Sequence, residues 1–121
     1  MPIKNILVVD DSPTDRQHLS DLLAKSGYAV TLAESAEEAL AKVKQKRPDL
    51  VLMDVVMPGQ NGFQATRTLS KDESTKNIPV IICTTKGQET DRIWGMRQGA
   101  RDYIVKPVDK AELLAKISAL G

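Results

Sequence analysis

Five short runs of apolar, mostly branched residues recur along the chain: Ile6-Leu7-Val8-Val9, Ala29-Val30-Thr31-Leu32, Leu50-Val51-Leu52-Met53, Val80-Ile81-Ile82-Cys83 and Tyr103-Ile104-Val105. Each is short and nearly continuous in its hydrophobicity, which suits a strand buried on both faces of a parallel sheet. Helix signals fill the gaps. Ser12-Pro13-Thr14-Asp15 supplies an N-cap, a proline at the first helical position and an early acid. Leu19, Leu22, Leu23 and Ser26 follow at helical spacing, and Gly27 ends that helix in the left-handed conformation. Ser35 with Glu38 forms a capping box ahead of Ala36, Ala39, Leu40 and Val43, with Pro48 as the stop. Asp109 and Glu112 open a last helix that aligns Leu113, Ile117 and Leu120. Two further helices are expected near residues 62–71 and 88–98, the second closed by Gly99.

A strand–helix unit repeated five times implies an α/β fold with helices on both faces of the sheet. Right-handed crossovers leave few arrangements, and a doubly wound parallel sheet is the expected one. With 121 residues there is room for one core, so a single domain over residues 1–121 is expected.

Composition excludes several classes. A net charge of +1 gives no general attraction to nucleic acid or to a membrane surface. The lone cysteine, Cys83, sits in an apolar run and reads as a buried small hydrophobe, in keeping with a reducing compartment. Neither a signal peptide nor a membrane-length apolar span is present, so a cytoplasmic location without membrane insertion is expected.

The polar residues at the strand ends carry the chemistry. The first strand runs into Asp10-Asp11, the third into Asp54, the fourth into Thr84-Thr85 and the fifth into Lys106-Pro107; the second ends in Leu32-Ala33. Open α/β sheets bind ligands beyond the carboxyl ends of their strands, where the strand order reverses. In the order 2-1-3-4-5, the four strands that end in reactive groups are neighbours and the second becomes the silent edge. A strand-terminal Asp taken alone serves as readily as a helix N-cap, and a Lys-Pro pair as an ordinary turn. Four such residues on four adjacent strands form a constellation. Three carboxylates in one pocket repel one another, and a hard divalent cation relieves the conflict. Acid, Mg2+, lysine and hydroxyl together are the groups that hold a phosphoryl group in transfer.

The chain resembles the receiver domains of two-component response regulators, including the chemotaxis type, over nearly its whole length. The resemblance rests on Val9-Asp10-Asp11-Ser12, Met53-Asp54-Val55-Val56-Met57-Pro58-Gly59 followed by Gly62, Cys83-Thr84-Thr85 and Val105-Lys106-Pro107. It implies a flavodoxin-like fold with Asp54 as phosphoacceptor. It also implies Mg2+ held by Asp10, Asp11, Asp54 and the backbone carbonyl of Val56, and Lys106 paired with the phosphoryl oxygens. A cis peptide between Lys106 and Pro107 follows, as does a switch pair of Thr84 and Tyr103 that alters the face of helix 4, strand 5 and helix 5. Val56 offers no side-chain amide or acid to orient a hydrolytic water, which implies slow self-dephosphorylation.

The chain ends directly after the fifth helix, so output is expected through contact with a partner rather than through an attached domain. The runs Gly62-Phe63-Gln64-Ala65-Thr66-Arg67 and Gln88-Glu89-Thr90-Asp91-Arg92-Ile93-Trp94-Gly95 are similar to those of stand-alone receivers of twitching motility. That resemblance implies phosphorylation by a sensor histidine kinase of chemotaxis type, with a pilus-motor or regulatory protein as the further partner. Other outputs of a chemotaxis-type receiver, a phosphate sink and a non-phosphorylated pseudo-receiver remain alternatives. A haloacid dehalogenase phosphatase would carry a second acid where Val56 stands and a cap domain. A flavin protein would need a phosphate-binding glycine loop after the first strand and more than 3% aromatic residues. The chain promotes its own phosphorylation on this reading but turns over no separate substrate, so it is not classed as an enzyme.

Overall fold

The computed structural model describes residues 2–57, 59 and 61–120; Pro58 of the Met57-Pro58-Gly59 motif lies outside the described residues. The elements alternate as β1 (Asn5–Val9), α1 (Pro13–Lys25), β2 (Ala29–Ala33), α2 (Ala36–Gln45), β3 (Leu50–Met53), α3 (Gly62–Lys71), β4 (Val80–Thr84), α4 (Glu89–Arg97), β5 (Asp102–Val105) and α5 (Lys110–Leu120). All strand pairs are parallel and the order is β2-β1-β3-β4-β5. Every expected strand is present, several extended by a residue, so that Thr84 is the last residue of β4 rather than the first beyond it.

Alternation along each strand divides the core between the two faces. Leu7, Val9, Val51 and Met53 pack with Ala39 and Val43 of α2 and Ala65 and Leu69 of α3. Ile6, Val8, Leu50 and Leu52 face the other way, toward Leu19 and Leu23 of α1 and Leu113 and Ile117 of α5. A third cluster, formed by Val55, Ile82, Ala100 and Tyr103, lies at the β4–β5 side. Cys83 is buried, and burial pushes its thiol up to about 12, so it is an inert core residue.

The helix ends follow the capping residues. Ser12 accepts from the Asp15 N–H, Ser35 from Glu38, Asn61 from Gln64 and Asp109 from Glu112. The capping box of α2 differs from expectation by one residue, because the Glu38 carboxylate accepts from the Glu34 N–H rather than from that of Ser35. Gly27 and Gly99 close α1 and α4 at φ +95° and +108°, a region side chains disfavour. Among the described residues no helix is long and apolar enough to cross a membrane.

Candidate functional site

Strand register brings the polar residues together. Val9 of β1 is paired with Met53 of β3, so Asp10 and Asp54 each leave the sheet one residue beyond a matched pair. Met53 is paired with Ile82, and Thr84 with Val105, so Thr84 and the following Lys106 complete the row. The Lys106 N–H donates to the Thr84 carbonyl at 2.8 Å, which carries the ladder into the loop. The Lys106–Pro107 peptide is cis. Asp10, Asp54 and Thr84 are buried, Lys106 is partly buried, and Asp11 stands exposed at the rim.

The acids group tightly. One carboxylate oxygen from each of Asp10, Asp11 and Asp54 falls within 4.8 Å of the others. All are hard oxygen donors, without nitrogen or sulfur among them, and this set fits Mg2+. Asp54 Oδ1 accepts from the Val56 N–H at 3.1 Å, which fixes the carboxylate and sets the Val56 backbone at its edge. Val56 itself is 47% exposed.

Lys106 is the counter-charge. Its Nζ lies 2.5 Å from Asp10 Oδ2, 2.9 Å from Asp15 Oδ2 and 3.4 Å from Asp54 Oδ2. Burial raises the Asp10 pKa above the ordinary carboxylate value, and the hydrogen bond from Lys106 offsets this only in part. Burial works to lower the Lys106 pKa, but its hydrogen bonds to Asp10 and Asp15 outweigh that and hold the ammonium above its usual range. The lysine therefore stays charged. Among the described residues, one ammonium stands among four carboxylates, a surplus of negative charge that a divalent cation would reduce.

Thr84 and Tyr103 share a partner. The Lys86 N–H donates to Thr84 Oγ1 at 3.4 Å, and the Tyr103 hydroxyl donates to the Lys86 carbonyl at 2.6 Å. The backbone of one loop residue thus joins them. The Tyr103 ring lies inward and buried, with the Arg92 guanidinium 5.5 Å from its centroid, and burial pushes its phenol up to about 12.

The strand-end acids, lysine, hydroxyl and aromatic on these adjacent strands have counterparts in known proteins. The family model described as the response regulator receiver domain matches residues 6–118. The chain belongs to that family. This receiver is 58% identical over 115 residues to the protein PilH of Pseudomonas aeruginosa, covering 95% of each chain. It is 40% identical over 117 residues to the phosphate regulon transcriptional regulatory protein PhoB of the same organism, covering 97% of the receiver but 51% of PhoB. The solved structure of the chemotaxis protein CheY4 of Vibrio cholerae superposes with a TM-score of 0.91 at 32% identity, over 98% of this chain and 99% of that one.

Two further residues lie at the site. Asp15, by sequence a first-turn acid of α1, reaches Lys106. The usable signal was that helical side chains tilt toward the N-terminus, here toward the site. Arg16 carries no sequence signal of its own. Its Nη1 donates to the Asp10 carbonyl at 2.8 Å, which braces the acid's backbone, and its other amino nitrogen pairs with Glu34 at 3.6 Å.

Proposed function

We propose that this receiver accepts a phosphoryl group on Asp54 from a sensor histidine kinase of chemotaxis type and acts as a conformational switch. The observation that carries the reading is the buried Asp54 carboxylate, with Oδ1 engaged by the Val56 N–H and Oδ2 facing the Lys106 ammonium. Oδ2 is the nucleophile. It attacks phosphorus, the bond from phosphorus to the donor histidine nitrogen breaks, and the electron pair stays on the imidazole, which takes up a proton. The product is a mixed anhydride on Asp54. Water later attacks the same phosphorus, releasing inorganic phosphate and restoring the carboxylate.

Asp10, Asp11, Asp54 and the Val56 carbonyl would hold Mg2+, which when bound supplies positive charge to the phosphoryl oxygens. Lys106 supplies a second positive group from the β5 side, and the Thr84 hydroxyl has a proton to donate to a phosphoryl oxygen. A shift of Thr84 toward that oxygen pulls on Lys86, and through the Lys86 carbonyl on Tyr103. The switch is a two-state element biased by a new charge. Its outward face includes Ile93, Trp94 and Met96 of α4, each about half exposed, an apolar surface suited to a partner.

Regulation of twitching motility is the physiological role we assign. It is supported by the identity to PilH across nearly the full length of both chains. The test is Mg2+-dependent uptake from acetyl phosphate, followed by intact mass and Trp94 fluorescence in wild type and Asp54→Asn. Uptake by wild type alone supports the acceptor assignment. Absence of uptake in wild type would favour a binding module that works without phosphorylation. Loss of twitching control in cells carrying Asp54→Asn tests the physiological role separately.

A further inference from the structure

The Lys106 ammonium has three protons and, among the described residues, three carboxylate partners, of which Asp54 is the most distant at 3.4 Å. A phosphoryl oxygen on Asp54 takes over that long contact, and for the ammonium to close on it one of the two shorter bonds must lengthen. Asp10 is a poor candidate, since it is buried and holds the shortest contact at 2.5 Å. Asp15 differs in kind. It reaches in from the first turn of α1, its side chain is 45% exposed against 10% for Lys106, and water can solvate it when the lysine leaves.

We infer that Asp15 is a positioning residue that restrains Lys106, so that release of the Asp15–Lys106 pair limits how readily the lysine reaches the phosphoryl group. The inference rests on the acceptor role of Asp54. Asp15 touches neither donor nor acceptor in this arrangement and acts only through Lys106. Asp15→Asn removes the charge and weakens the bond to the ammonium, while Asp10 and Asp54 still hold the lysine in place. The expected result is faster uptake by about two- to five-fold, the equilibrium worth of a partly exposed ion pair. Asp15→Glu keeps the charge within reach of Lys106 and stays near the wild-type rate.

The experiment is uptake from acetyl phosphate in saturating Mg2+, with rate measured against donor concentration for wild type, Asp15→Asn, Asp15→Glu, Lys106→Met and the Asp15→Asn/Lys106→Met double variant. A rise in the limiting rate of Asp15→Asn that disappears in the Lys106→Met background supports the inference. An unchanged or slower Asp15→Asn overturns it. So does an equal rise in both backgrounds, which would make Asp15 a bulk repulsive charge on the anionic donor. A second readout needs neither metal nor donor: by NMR, exchange of the Lys106 ammonium protons with water accelerates in Asp15→Asn, and unchanged exchange overturns the restraint. Should wild type take up no phosphoryl group, the acceptor reading fails and this one with it. Equal uptake by wild type and Asp15→Asn defeats the restraint alone.

Discussion

Gly62 stands so close to Asp54 that a β-carbon on it would lie 2.1 Å from the Asp54 carbonyl oxygen and 2.8 Å from the carbonyl carbon. The reason for glycine here is space, since its φ is not positive. The first residue of α3 is thereby packed onto the backbone of the candidate acceptor, with Asn61 capping the helix through the Gln64 N–H. In an open helix an alanine would be the more stabilising residue. Gly62→Ala is expected instead to lower stability by about 1–3 kcal/mol, because backbone rather than a flexible side chain must move. Urea unfolding measures this, and phosphoryl uptake should fall in the fraction that remains folded. An unchanged unfolding midpoint would show that α3 shifts freely away from Asp54.

Asp10 gives a prediction about pH. Burial raises its folded-state pKa above 3.8, so over the interval between that value and the raised one the folded chain holds a proton that the unfolded chain has lost. The stability this contributes is fully present below 3.8 and is lost as pH rises through the folded value. Ionised Asp10 therefore costs stability near neutrality. Asp10→Asn, measured with a chelator present, should melt higher than wild type at neutral pH, with the gain shrinking as the pH is lowered toward 3.8. A gain that does not vary with pH would mean that the side chain's shape, rather than its ionisation, carries the effect.

The same crowding of acids predicts a response to Mg2+. A ligand that binds only the folded chain stabilises it by about 1.4 kcal/mol when present at ten times its dissociation constant. Wild type should therefore melt progressively higher as Mg2+ is added. Asp11→Asn should lose most of this dependence, since Asp11 contributes one of the three clustered carboxylate oxygens and its exposure makes it unimportant to the core. Equal Mg2+ dependence in wild type and Asp11→Asn would remove Asp11 from the ligand set.

The fold was legible because β1, β3 and β4 are buried on both faces and so read as unbroken apolar runs. Caps at Ser12, Ser35 and Asp109 marked the helices between them. The placement of Asp10, Asp54, Thr84 and Lys106 at strand ends was equally legible, since parallel register converts position along a strand into proximity across the sheet. Side-chain reach was not. Asp15 and Arg16 lie on a helix whose residues are judged by spacing along its own axis, and nothing in that spacing reports which loop a long side chain will meet. The close approaches of Gly62 and Gly95 were hidden for a related reason, because a glycine within or next to a helix looks like a propensity penalty until its neighbour is known.

Gly95 lies buried within α4, where a β-carbon would come 2.7 Å from Ile82 Cδ1 and 3.1 Å from two carbons of the Tyr103 ring. The isoleucine tip can turn aside. The tyrosine ring has less freedom, because its hydroxyl is tied to the Lys86 carbonyl at 2.6 Å. Gly95→Ala would gain about 1 kcal/mol in helix propensity, yet the contact must lift α4 or press the ring outward, at about 1–3 kcal/mol. A net loss of stability is expected, with a changed emission from the adjacent, half-exposed Trp94. Replacing the ring as well, in Gly95→Ala/Tyr103→Leu, should recover part of the loss, a coupling that a double-mutant cycle reads directly. If Gly95→Ala instead melts higher than wild type, α4 is not seated on Tyr103, and the proposed signal from Thr84 through Lys86 and Tyr103 would have no rigid route to the Trp94 face.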